Sequence, residues 1–180
     1  KSSLHSSKNQ NHADCCTTNP EDPIKQRKLY LSMFNIQNIS EKFKLSEDIV
    51  LYHGDCLTLL QEIPDETLTL VVTSPPYNIG KEYEKKLKLE TYLKQQEMVI
   101  RECTRCLSPQ GSVCWQVGNY VDNGSIIPLD TVLYPIFKQA GLRMRNRIIW
   151  HFEHGLHCSR RFSGRYETII WFTKSDKYKF

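Results

Sequence analysis

Residues 68–73, LTLVVT, form a short apolar run rich in β-branched side chains, and the run ends at the two adjacent prolines of TSPPYN, residues 73–78. Its length and composition are those of a strand buried on both faces of a parallel sheet. Such a strand needs helices on either side, so the chain should alternate strands with helices. The neighbouring segments agree. A short strand at 49–52 precedes a helix at about 57–63, which Pro64 ends, and an amphipathic helix at 90–107 is closed by Pro109 and Gly111. Strand 112–117 (SVCWQV), a polar loop at 118–125 and a helix at 126–140 stopped by Gly141 follow. Two strands, 143–151 and 166–173, close the pattern, giving an α/β fold with a mostly parallel sheet and one antiparallel strand.

With 180 residues and 39% apolar content, the chain can bury one modest core. No apolar run is long enough to span a bilayer and no signal-like start is visible, so an intracellular, soluble protein is expected. Seven scattered cysteines fit a reducing compartment better than a disulfide framework. Cys103 and Cys106 make a CxxC on a helix, with only His154, His157 and Cys158 to complete a zinc site; buried thiols on one helix face suit the pattern better, and no metal is expected.

Residues 1–45 read as a polar tail or linker, most clearly over 1–28, and 46–180 as the folded part. The net charge of +4 is unevenly spread. From Arg143 to Arg165 there are six arginines, three histidines and a single acid, Glu153. Arg143, Arg145, His157, Arg160, Arg161 and Arg165 are therefore candidate contacts to nucleic-acid phosphates, although a solvated strand face would carry the same charges.

In open α/β sheets ligands bind beyond the carboxyl ends of the strands, where TSPPYN sits. The Ser74 hydroxyl and the Pro75 carbonyl can both accept hydrogen bonds from an amino group, the prolines fix the backbone that aims them, and Tyr77 offers a stacking face. A flat molecule carrying an amino group, such as a nucleobase, fits those groups. Its amine is a weak nucleophile, so orienting it towards an electrophile is the main catalysis required. A base inside a duplex would have to be flipped out to reach such a pocket. An isolated SPPY tetrapeptide is more often a turn or a polyproline ligand; its place after a strand argues for function.

Three blocks, GDCLTLLQEIPDETLTLVVTSPPYNIG (54–80), GSVCWQVGNY (111–120) and RRFSGRYETIIWFTK (160–174), together resemble the S-adenosylmethionine-dependent DNA amino-methyltransferases of the permuted class, in which the catalytic motif precedes the cofactor motif. The resemblance implies a Rossmann-like class I methyltransferase sheet, with Ser74, Pro75, Pro76 and Tyr77 as the catalytic motif. It implies a cofactor site at Asp55, Cys56, Thr73 and Ser74, where Asp55 would otherwise be read as a turn former or helix cap. SPPY in that family is more usual for N4-cytosine and DPPY for N6-adenine, so cytosine is expected, with N6-adenine methylation or a non-catalytic DNA-binding remnant as alternatives. Double-stranded DNA is the expected partner, and a homodimer is left open. The family's glycine-rich cofactor turn and its target-recognition region are not found in 1–180. The chain is accordingly expected to be the catalytic half of a longer enzyme, completed by a further segment or a partner chain. The three tryptophans, Trp115, Trp150 and Trp171, are expected in the core.

Overall fold

The computed structural model describes residues 38–82, 84–153 and 158–180. The chain divides into two units, 1–51 and 52–180. In the first, β1 (Ile39–Ser40) pairs in parallel with β2 (Ile49–Val50). Asp48 steadies the pair by accepting from the Asn38 amide at 3.1 Å. The strand expected at 49–52 thus finds its partner within the segment expected to be a tail, whose residues 1–37 lie outside the described residues.

The second unit is a four-stranded sheet with helices on one face. Helix α1 (Cys56–Glu62) starts at Asp55, whose carboxylate accepts from the Leu57 amide at 2.8 Å, and ends before Pro64. Strand β3 (Leu68–Thr73) follows, then α2 (Leu89–Cys106). On α2, Tyr92, Gln96, Ile100 and Cys103 recur at helical spacing and are buried. Strand β4 spans Leu107–Val117, so Pro109 and Gly111 lie inside a strand rather than in a loop before it. They act there as an interruption: Leu68 faces Leu107, the next pair is Leu70 with Ser112, and the ladder resumes at the expected position.

Residues 118–125 are not simply a polar loop. Strand β5 (Asn119–Asp122) pairs antiparallel with β6 (Ser125–Pro128) around Asn123 and Gly124, whose φ angles of 47° and 83° are those an Asn-Gly hairpin turn requires. Because Ile126 and Ile127 pair with Val121 and Tyr120, helix α3 (Leu129–Gln139) begins later than its pattern indicates. Gly141, at φ 88°, supplies the left-handed residue after it.

Strands β7 (Arg143–His151) and β8 (Tyr166–Thr173) complete the sheet in the order β3-β4-β8-β7. Strands β3 and β4 are parallel and β8 is antiparallel to both β4 and β7, so three strands share one direction and one opposes them. Facing pairs Val113–Phe172 and Trp115–Ile170 form the core under α3, where Phe137 stacks on Phe172 at 4.5 Å. The opposite face is open among the described residues. Leu70 is 56% and Val72 70% exposed, and Val71 and Thr73 on the other face are half-buried, so β3 is partly covered on one face rather than buried on both. Trp150, expected in the core, is 57% exposed on that open side, and Trp171 is half-buried against Tyr178 and Phe180.

Cys103 and Cys106 are buried, with burial pushing the Cys103 thiol up to about 12. Among the described residues no His, Cys, Asp or Glu cluster could hold a metal ion, and no helix is long and apolar enough to cross a membrane. His154 and His157 lie outside the described residues.

Arg147 reaches back across the sheet to Asp130 in the first turn of α3, Nε to Oδ2 at 2.5 Å, and Asp130 is only 5% exposed. Replacing the guanidinium would leave a buried carboxylate without that donor. Arg147→Ala should therefore destabilise the fold by about 1–3 kcal/mol in urea unfolding, well above the effect of an ordinary surface arginine.

Candidate active site

The TSPPYN loop leaves the sheet at the carboxyl end of β3, where Thr73 pairs with Trp115. Two devices hold it on the far side. Asn78, buried and at φ 60°, accepts from the Leu87 amide at 2.6 Å and donates to the Leu87 carbonyl at 2.8 Å. The Glu84 carboxylate accepts from the amides of Asn78 and Ile79 at 2.8 and 2.9 Å. Glu84 and Leu87, in the charged stretch that follows Gly80, thus anchor the loop.

Ahead of Asn78, the side chains form a directed chain. Tyr77 donates its phenolic hydrogen to Glu167 Oε2 at 3.0 Å. The 2.8 Å contact between Ser74 Oγ and Tyr77 Oη must then be donated by Ser74, because a phenol has one hydrogen. Ser74 is left to act as an acceptor. Glu167 also receives Gln116 Nε2 at 2.6 Å, which fixes the carboxylate from the neighbouring strand. Gln116 and Glu167 project from the open face of the sheet, as strand alternation places them opposite the buried Trp115, Val117 and Thr168.

Gly118 closes the arrangement from behind. A Cβ there would lie 3.1 and 3.2 Å from two carbons of the Tyr77 ring, so the ring occupies space that only glycine leaves open. The loop opens into a cavity of about 420 Å³ lined by Ser74, Pro75, Pro76, Tyr77, Lys81 and Glu167, with Ile79 at its margin. A second cavity of about 620 Å³ adjoins it past Tyr77 and Glu167, towards Phe152, Arg161, Phe162 and Tyr166.

The four residues of the SPPY tetrapeptide meet in one cavity. Asp55, Cys56 and Thr73 do not line it; Asp55 caps α1, and burial raises the Cys56 thiol, with Asp55 adding to the effect. Arg160, Arg161 and Arg165 lie in the loop joining β7 to β8, at the same end of the sheet, where the Arg165 carbonyl accepts from the Phe152 amide at 2.9 Å. Arg143 and Arg145 do not come to the site. They start β7 at the opposite end and are held by Asp176, with Arg145 also donating to Thr173 Oγ1 at 2.8 Å. The two guanidiniums keep the Asp176 carboxyl below its ordinary range, Arg143 contributing most.

Glu167, Gln116 and Gly118 are the site residues that sequence reasoning missed. A glutamate at the head of the otherwise apolar strand YETIIWFT was the available signal.

A family model described as DNA methylase, of the N6 and N4 type, matches residues 68–180. The chain belongs to this DNA methylase family. It is 48% identical over 166 residues to the type II methyltransferase M.BglII of Bacillus subtilis, covering 89% of this chain and 46% of that protein. The DNA adenine methyltransferase YhdJ of Escherichia coli is 29% identical, over 73% of this chain and 43% of its own. Among solved structures, a DNA modification methylase from Thermus thermophilus in complex with S-adenosyl-L-methionine is similar, with a TM-score of 0.57 and 27% identity over 71% of this chain and 54% of that one. The cytosine-N4-specific PvuII DNA methyltransferase shares the fold, with a TM-score of 0.62 at 21% identity, over 79% of this chain and 51% of that one. The chain spans about half the length of these relatives.

Gly118→Ala should push the Tyr77 ring by a few tenths of an ångström, with little change in unfolding temperature. A crystal structure of the variant beside a thermal melt would check this.

Proposed function

We propose that the complete protein methylates DNA at the exocyclic N4 of a cytosine flipped out of the duplex, with S-adenosylmethionine as methyl donor. The observation that carries this reading is the state of Ser74, a neutral hydroxyl at the mouth of the cavity whose own hydrogen is engaged by Tyr77 and which therefore accepts. An amino group donating one hydrogen to Ser74 Oγ and the other to the Pro75 carbonyl would have its nitrogen lone pair drawn out of conjugation and turned to the donor. The Tyr77 ring gives the flipped base a face to stack on.

The donor set fits the methyl end of the cofactor. A sulfonium is a cation, and an aromatic ring, a hydroxyl and a carboxylate line the cavity. When bound, the cofactor supplies an activated methyl group. Ser74 would lie beside it, with Thr73 assigned to the cofactor and Asp55 and Cys56 to its adenine by family resemblance. The remaining work belongs to this chain's residues: Ser74 and Pro75 orient the amine, and Glu84 and Asn78 hold the loop that carries them.

The arginines of the β7–β8 loop, Arg160, Arg161 and Arg165, suit the backbone phosphates of duplex DNA around the flipped base, beside the fully exposed Phe162. The setting is intracellular, with the protein acting as the modification partner of a restriction system, as type II relatives imply.

N6-adenine methylation is the second reading, favoured by the similarity to a DNA adenine methyltransferase. Nucleoside mass spectrometry on DNA from cells expressing the whole protein separates the two. N4-methylcytosine that disappears with Ser74→Ala is expected; N6-methyladenine would transfer the reaction to adenine, and no methylated base with unimpaired DNA binding would leave a DNA-binding remnant. A second measurement tests the DNA face. Arg160→Ala with Arg161→Ala should lower the slope of log K against log salt by about 2, as for two lost phosphate contacts, whereas Arg143→Ala should leave the slope unchanged.

A further inference from the structure

Once the amino nitrogen has accepted a methyl group it carries a positive charge and must shed a proton, and among the described residues a chain of hydrogen bonds runs from Ser74 to a carboxylate. Ser74 donates to Tyr77 at 2.8 Å and Tyr77 donates to Glu167 at 3.0 Å. The chain therefore ends on a carboxylate and begins on an acceptor that faces the cavity. We infer that Glu167 is the terminal proton acceptor of the methyl-transfer reaction, reached from the substrate nitrogen through Ser74 and Tyr77. This role rests on the methyltransferase reading and adds a destination for the proton.

The balance is complete. As the nitrogen–carbon bond forms, the carbon–sulfur bond breaks and its electron pair stays on sulfur, discharging the sulfonium. The nitrogen's proton passes to Ser74 Oγ, the Ser74 proton to Tyr77 Oη, and the Tyr77 proton to Glu167 Oε2. Both hydroxyls end with the hydrogen count they began with. The carboxylate ends as a carboxylic acid, and because Glu167 lines both open cavities it can return the proton to water.

Geometry prepares the carboxylate for this. Gln116 fixes the same oxygen that Tyr77 addresses, at 2.6 Å, from the strand paired with β8. In antiparallel register the other strand presents Trp150 opposite Glu167, which brings no charge. Among the described residues, the titratable and charged groups that share its cavities are Tyr77, Lys81, Cys158, Arg161 and Tyr166. Of these, Tyr77 is the one that links Glu167 to Ser74.

Before the proton moves, the same chain would already matter. A carboxylate at its end makes Ser74 Oγ a stronger acceptor, so the amine is more nucleophilic as the methyl group arrives. Loss of the carboxylate should thus show in the transfer rate and not in DNA affinity.

The test compares wild-type, Glu167→Gln, Glu167→Asp, Tyr77→Phe and the Glu167→Gln/Tyr77→Phe double variant in the complete protein. Single-turnover methyl transfer is followed from the carboxylate range to neutral pH. Duplex affinity and base flipping are read without cofactor from the fluorescence of 2-aminopurine at the target position. Glu167→Gln should slow transfer by about 100-fold or more while affinity and flipping stay within about twofold. The wild-type rate should fall as acid protonates one group, and Glu167→Gln and Tyr77→Phe should both lose that limb. Glu167→Asp should recover part of the rate, and the double variant should be no slower than the worse single, because the links act as a unit. A Glu167→Gln rate within about threefold of wild-type, an acid limb that survives both substitutions, or losses that multiply in the double variant would each overturn the role. A wild-type protein that flips the base but methylates no DNA would overturn the underlying reading, and this role with it.

Discussion

Six facing pairs, from Ser112 with Thr173 to Val117 with Thr168, join β4 to β8 in antiparallel, and the positions of Gln116 and Glu167 at the site follow from that register. Strand side chains alternate between faces, so pairs that put Trp115, Val117, Thr168 and Ile170 into the core oblige Gln116 and Glu167 to stand together on the other side. A slip of one residue would bury the carboxylate and expose the core. The register is pinned by the large buried surfaces of Trp115, Phe137 and Phe172, whose rings pack within 5.4 Å of one another along that chain of contacts. Hydrophobic packing at one face thereby sets hydrogen-bond geometry at the other.

The loop itself is held by the opposite kind of interaction. Backbone amides at 78 and 79 point into a single carboxylate, Glu84, and Asn78 closes on Leu87 in both directions. These are short-range polar bonds around a left-handed asparagine, a residue that tolerates φ 60° better than most. Such anchoring leaves Pro75 and Pro76, with their fixed φ, little freedom to reorient Ser74. The Ser74 hydroxyl and the Pro75 carbonyl are thus fixed in place by the fold itself, the kind of preorganisation on which the proposed orientation of an amine would draw.

Much of this was legible in the residues. LTLVVT, the helix that ends at Cys106 and the closing strands at 143–151 and 166–173 announce themselves by period and by breakers, and the paired prolines of TSPPYN mark the loop that opens into the cavity. What misled was long-range pairing. The run at 68–73 reads as doubly buried because its composition says nothing about which face its helices cover, and Ile126–Ile127 reads as helix because the hairpin that claims it lies across Asn123–Gly124. Arg143 and Arg145 belong to a basic stripe in one dimension, yet strand direction carries them to the far end of the sheet and to Asp176. Glu167 escaped for the converse reason, since 90 residues separate it from Tyr77 and only the sheet brings them together.

A crystal structure of the complete protein on a duplex containing its target, with a non-reactive cofactor analogue, is the decisive measurement for the amine clamp at Ser74 and Pro75. It should show the extruded base stacked on Tyr77, its amino nitrogen within about 3 Å of Ser74 Oγ and of the Pro75 carbonyl, and Tyr77 still bonded to Glu167. An extruded base whose amino group points away from Ser74, or a base that stays stacked in the duplex, would contradict it.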